Sequence, residues 1–168
     1  MIPNFETKHL PKQRDVVAPD GSDVRIPLGL KGGGMAHFEL APGETSRAVT
    51  HRTVEEIWFF ISGRGEMWRE QDGEAQVVDV YPGVCLTIPL GTCFQFRCTG
   101  QEPLAAIGVT MPPWPGEGEA VLVEGPWQAT VGGGFAPRKC AFSSSKAPSI
   151  FRAGKHGSGG RHRGGDQR

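Results

Sequence analysis

The chain has 168 residues, with 18 basic and 18 acidic side chains and no net formal charge. That length suits one compact domain and little more. The charge balance gives no reason to expect a nucleic acid or an anionic membrane as partner. No apolar run approaches the roughly 18 residues that a spanning helix needs. The start, MIPNFETKHLPKQRD, lacks a basic-then-apolar leader pattern, so the expected location is the cytoplasm.

Residues 1–23 are polar, carry the turn signal APDGSD and read as an arm or irregular lead-in. From Val24 the character changes. VRIPLGL, MAHFEL, SRAVTH, EIWFFI, GEMWRE, AQVVDV, VCLTIP, CFQFRC, LAAIGVT and AVLVEG follow one another as strand-length apolar or alternating runs. Between them lie KGGG, APGE, SGRG, QDG, YPG, PLGT, TGQEP and PPWPGEGE. Short strands at intervals of about 8–12 residues, punctuated by glycine and proline, predict an all-β sandwich or barrel over residues 24–127. No segment sustains a helical period with caps at both ends. Residues 128–140 read as a loop. Residues 141–168 hold six Lys/Arg and one Asp among mostly small polar residues, a composition expected to be disordered. A phosphate- or RNA-binding tail is the sharper reading of GKHGSGGRHRGG. A solvated terminus is preferred, because no aromatic follows Phe151 to stack on a base.

The four cysteines, Cys85, Cys93, Cys98 and Cys140, form no CxxC pair, which argues against a zinc knuckle or a thioredoxin-like site. In a cytosolic chain they are expected to be small, buried and reduced.

The stretch VTHRTVEEIWFFISGRGEMW (49–68) places a histidine, His51, five residues before a glutamate, Glu56. Alternation along a strand puts Val49 on the face of His51, and Trp58 and Phe60 on the face of Glu56. Ile57, Phe59 and Ile61 then point the other way, against a second apolar surface. A strand apolar on both faces is expected to be central, or to lie at a subunit interface.

Spacing links these residues to turns. Gly43, His51, Glu56 and Gly63 in GETSRAVTHRTVEEIWFFISG, and Gly83, Pro89 and Gly91 in GVCLTIPLG, fall in register with two motifs. Together they resemble the paired signatures of the cupin superfamily, an all-β fold built as a small antiparallel jelly-roll β-barrel. The resemblance covers roughly residues 24–127 and implies a homodimer, since cupins commonly dimerise. It also implies a divalent metal (iron, manganese, nickel or zinc) held by three histidines and one glutamate. Here Val49 and Phe94 stand at two of the histidine positions and Cys98 where an asparagine would be. Only His51 and Glu56 remain as metal ligands, so no cofactor is expected unless a substitute such as His37 completes the site. Cys93, Gln95 and Cys98 are weaker substitutes.

Val49, Trp58, Phe60, Phe94 and Phe96 would line the barrel around His51 and Glu56, with Arg47 and Arg97 at its rim to catch an anionic group. Three functions follow, in order of preference. The first is a small-molecule-binding cupin that takes a sugar-like or aromatic metabolite over His51 and Glu56. The second is an enzyme. It would be a metal-free isomerase or epimerase with His51 and Glu56 as a catalytic acid/base pair, in which His51 supplies the cation for the carboxylate, or a metal-dependent dioxygenase with a substitute ligand. The third is a structural or interaction protein with a solid barrel. Trp114, in MPPWPGEGEA, is a lid over the mouth or, slightly preferred, an external clasp.

Overall fold

The computed structural model describes residues 4–133 and 137–140. Twelve strands follow in chain order, and no helix occurs among the described residues. They are β1 (Val16–Val17), β2 (Asp23–Arg25), β3 (Gly29–Leu30), β4 (Gly33–Leu40), β5 (Val49–His51) and β6 (Glu55–Ser62). The chain continues through β7 (Gly65–Gln71), β8 (Glu74–Val80), β9 (Cys85–Ile88), β10 (Cys93–Cys98), β11 (Leu104–Met111) and β12 (Ala120–Leu122). One sheet runs β1-β2-β4-β11-β6-β9, with β3 paired to β4; the other runs β12-β5-β10-β7-β8. Every strand pair is antiparallel. This is the all-β jelly roll that the cupin resemblance implies, one form of the sandwich or barrel expected from the strand spacing.

Alternation decides what enters the space between the sheets. In β6 the residues alternate strictly: Glu56, Trp58 and Phe60 are buried, while Glu55, Ile57, Phe59 and Ile61 are exposed. Val49 from β5, Met67 from β7, and Phe94, Phe96 and Cys98 from β10 meet Trp58 and Phe60 in one cluster, closed by Leu40, Ile88 and Leu104. Trp58 is its centre. It stacks on Phe38 at 4.4 Å and stands edge-on to Phe96 at 5.1 Å and to Phe94 at 6.1 Å. Gly108 lies across from Trp58 on β11. A Cβ there would come within 2.7 Å of the Phe38 ring, so the missing side chain makes room for the stack.

Gly63 turns the chain between β6 and β7 with φ of 73°. A Cβ there would run into the Pro103 carbonyl and the Leu104 backbone. Both the left-handed φ and the close approach therefore require glycine.

Three sequence expectations meet a different structure. The lead-in is not wholly irregular: β1 pairs with β2, and Asp20 between them is buried, its Oδ1 accepting from the Ser22 amide (2.8 Å) and hydroxyl (2.6 Å). Among the described residues nothing covers the outer face of β6, and Ile57, Phe59 and Ile61 stay 40–47% exposed. The expectation of four reduced, buried cysteines is also corrected. Cys93 and Cys140 are joined by a disulfide, Cys85 is exposed and only Cys98 is both free and buried. The bond ties segment 137–140 across the outer face of β10, where Arg138 bridges Val123. Sequence distance hid this pairing, because 47 residues separate the two cysteines. The basic tail at 141–168 lies outside the described residues.

Candidate functional site

His51 ends β5 and Glu56 lies near the start of β6, with the turn 52–54 between them. Glu119 anchors that turn: its Oε1 accepts the amides of Thr53 (2.6 Å) and Val54 (2.8 Å), and its Oε2 accepts the Thr53 hydroxyl (2.9 Å). Arg52 Nε donates to the Gly118 carbonyl at 2.8 Å. These bonds pin the Pro-rich loop 112–119 over the end of the barrel. Trp114 in that loop meets the His51 imidazole edge-on at 5.2 Å, and Phe94 meets it from the neighbouring strand β10 at the same distance. Trp114 therefore covers the His51 ring while staying 40% exposed.

His51 and Glu56 both face the inter-sheet space, but among the described residues no hydrogen bond or ion pair joins them. Glu56 is 2% exposed, and its Oε2 accepts the Trp58 indole N–H at 2.7 Å. Its Oε1 is buried with no hydrogen-bond partner, and so is His51 Nδ1. Burial dominates both titrations. It lifts the Glu56 carboxyl to about 7, against the lowering effect of the Trp58 bond and with a small push from Asp20. It lowers the His51 imidazole to about 4, against the pull of Glu119. The two groups thus titrate in the opposite sense to an ion pair. Near neutral pH His51 is uncharged, so it is not the cation expected to balance Glu56.

The remaining candidates fall in different places. Val49, Trp58, Phe60, Phe94 and Phe96 share the aromatic interior with Glu56. Arg97 does not stand at the barrel mouth. It lies on the outer face of the second sheet, bonded to Glu66 at 2.6 Å, with its guanidinium 4.3 Å from the centre of the Trp127 ring. Strand alternation explains this, since Phe94 and Phe96 take the inward positions of β10. Arg47 donates its backbone N–H to the Asp20 carbonyl (2.7 Å) and packs its side chain on Gly132. Glu119 was missed by sequence reasoning. Its only local signal is a carboxylate just before a strand, which does not show that it caps a turn 65 residues earlier.

Residues 36–110 match the family model for the cupin domain. The chain carries a cupin domain. Structural neighbours share the fold at low identity. One is an uncharacterized conserved protein with a double-stranded beta-helix domain from Klebsiella pneumoniae (19% identity, 64% of this chain, 89% of that one, TM-score 0.51). Another is oxalate decarboxylase from Bacillus subtilis (20% identity, 65% of this chain, 29% of that one, TM-score 0.55). A third is the capsular polysaccharide assembling protein CapF from Staphylococcus aureus (17% identity, 64% of this chain, 33% of that one, TM-score 0.53). The chain matches a third or less of the length of the last two. No curated protein sequence matches it.

The cupin fold raises the question of a metal, and the donor set here does not fit one. His51 and Glu56 supply two ligands where a first-row ion takes three or four. His37, the substitute of choice, points to the other face of β4 from Phe38, where Arg25 approaches its Nδ1 at 3.4 Å and bonds Glu39 at 3.3 Å. Gln95 faces outward, donating to the carbonyls of Ser46 (2.7 Å) and Trp127 (2.9 Å). Cys93 is in the disulfide, and Cys98 Sγ lies 3.2 Å from the Glu102 carbonyl oxygen. Among the described residues no three His, Cys, Asp or Glu side chains gather in a metal-binding group. Protein purified without chelator or affinity metal is expected to carry iron, manganese, nickel and zinc well below stoichiometry by elemental mass spectrometry. A full equivalent of any of them would show that the barrel recruits a ligand from elsewhere.

Proposed function

We propose that this cupin domain binds a small aromatic or sugar-like metabolite at the His51 end of the barrel, beneath Trp114. The observation that carries this reading is the pair of buried, unpartnered polar atoms, His51 Nδ1 and Glu56 Oε1, in otherwise aromatic surroundings. Leaving such atoms unpaired costs on the order of 1–3 kcal/mol each. A ligand hydroxyl or carbonyl that bonds to them recovers that cost, and the rings of Phe94 and Trp114 offer faces for its apolar part. The tip of the loop around Trp114 would have to lift to admit it, while Gly118 and Glu119 stay bonded to the 52–54 turn. Gly116 and Gly118, both at positive φ with open space around them, leave the loop free of side-chain packing at those points.

The test is thermal shift against a panel of aromatic acids and monosaccharides. A stabilising compound should lose its effect in both His51→Ala and Glu56→Gln, and should quench Trp emission in wild type but not in Trp114→Phe. Silence across the whole panel would favour the solid-barrel reading, with Trp58 and its neighbours acting only as core.

A second reading is supported by the Glu56 carboxyl itself. Raised to about 7, it divides between acid and base forms at neutral pH, the condition a general base needs. Neutral His51 would then donate or accept a hydrogen bond and would not carry charge. On this reading the ligand is a substrate that loses a proton next to a carbonyl, and Glu56→Gln abolishes turnover while binding persists.

We further propose a homodimer through the outer face of the first sheet. Met35, Ile57, Phe59 and Ile61 expose 40–47% of their surface there, and β4, β11 and β6 bring them side by side. Charging this face with Phe59→Glu is expected to convert a dimer into a monomer by light scattering coupled to size exclusion. The disulfide sits poorly with the cytoplasmic placement read from the sequence, since such bonds persist in oxidising compartments.

A further inference from the structure

A cavity lies away from the barrel site, between the free edges of the two sheets. The β7–β8 hairpin forms one wall, and the β9 edge with the turn into β10 forms the other. Its volume is about 500 Å³, and Arg69, Gln71, Glu74, Gln76 and Thr92 line it. It includes neither His51, Glu56 nor Phe94 among its walls.

Two features of this cavity are unexplained by packing. Thr92 is only 3% exposed, yet its hydroxyl has no hydrogen-bond partner. Arg69 donates from Nη1 to the Thr87 carbonyl (2.7 Å) and from Nη2 to Gln76 Oε1 (3.2 Å), while its buried Nε has no partner. Other described arginines fall into two groups: Arg47, Arg52, Arg64 and Arg138, like Arg69, form no ion pair among the described residues, while three others do. Arg25 pairs with Glu39, Arg97 with Glu66 and Arg14 with Asp23. Among the described residues no carboxylate lies within ion-pair distance of Arg69. Burial alone lowers its pKa, with no neighbouring acid to raise it.

We infer that this cavity is a binding site for a small hydroxylated monocarboxylate, its carboxylate held by the Arg69 guanidinium and the Thr92 hydroxyl. The planar guanidinium matches a carboxylate in shape as well as charge. Gln71 and Gln76 supply amides, and Glu74 an acceptor, for the ligand's hydroxyl groups. Glu74 also sets the charge limit. With one cation and one anion in the lining, a singly charged ligand is tolerated, and a doubly charged phosphate meets repulsion. The proposal is independent of the barrel reading, because it uses none of the same side chains.

The experiment is a titration of the full-length protein with gluconate, glucose and inorganic phosphate, followed by backbone amide NMR. Gluconate should give saturable shifts confined to residues 69–76 and 87–92. Glucose, an uncharged six-carbon polyol, should give none, and phosphate should bind more weakly than gluconate. Thr92→Val keeps the side-chain shape and removes the hydroxyl. It should weaken gluconate binding roughly tenfold or more. Arg69→Lys should do the same, and Thr92→Val remains informative if the loss of the Thr87 contact unfolds that variant. Absence of gluconate binding, unchanged affinity in Thr92→Val, equal binding of glucose, or tighter binding of phosphate would each overturn the assignment. Shifts centred on His51, Glu56 and Phe94 would overturn it too, and would direct gluconate to the barrel instead.

Discussion

Glu56→Gln should make the protein more stable at pH 8, by about 3 kcal/mol, while giving no advantage at pH 4. The folded carboxyl titrates near 7, against an ordinary value of 4.5. The fold therefore favours the neutral acid, and the stability it contributes is fully present below pH 4.5. It is lost as pH rises through 7, at about 1.4 kcal/mol for each unit of displacement. Glutamine imitates the neutral acid at every pH and still offers Trp58 an acceptor oxygen. His51 works in the other direction. Its folded value near 4, against 6.5, favours the neutral ring, so stability falls as pH drops from 6.5 through 4. Between about pH 4.5 and 6.5 the two slopes oppose and nearly cancel. Their contribution to wild-type stability should then be flat there, whereas Glu56→Gln should gain stability steadily as pH rises through the same window. Urea unfolding at a series of pH values measures both. If the variant and wild type ran parallel from pH 4 to 8, the carboxyl would not be titrating near neutrality, and the general-base reading would lose its basis.

The second large effect is expected from the disulfide. Replacing Cys93 and Cys140 together by alanine should cost about 4 kcal/mol in denaturant unfolding, because a loop of 47 residues regains its freedom in the unfolded chain. Adding reductant to the wild type should reproduce the loss, and adding it to the double variant should change nothing. Peptide mapping without reduction should recover the peptides of Cys93 and Cys140 as one linked species. A double variant as stable as the oxidised parent would mean that segment 137–140 is held by its other contacts alone, such as the Val123–Arg138 bridge.

These two expectations differ in how far the chain alone foretells them. Local chemistry was legible. The glycine and proline punctuation implied an all-β sandwich or barrel, and the cupin resemblance implied the antiparallel jelly roll. Alternation also separates Glu56, Trp58 and Phe60 from Ile57, Phe59 and Ile61, because adjacent side chains on any strand point to opposite faces. The ligand positions occupied by Val49 and Phe94 are plain in the sequence too, and with them the shortage of metal donors.

The tertiary structure decided whatever depends on residues far apart in the chain. His37 lies on a strand whose pattern permits either face; pairing with β2 and β11 turns it toward Arg25 and away from the barrel. His51 is neutral because Phe94 and Trp114, some 40 and 60 positions later, remove water from its ring. Arg69 and Thr92 come together only because β7 pairs with β10. A sequence records the period of each strand, but register, sheet edges and desolvation are properties of contacts between strands. The elements were therefore readable one at a time, and the charge states and cavities only once they were packed together.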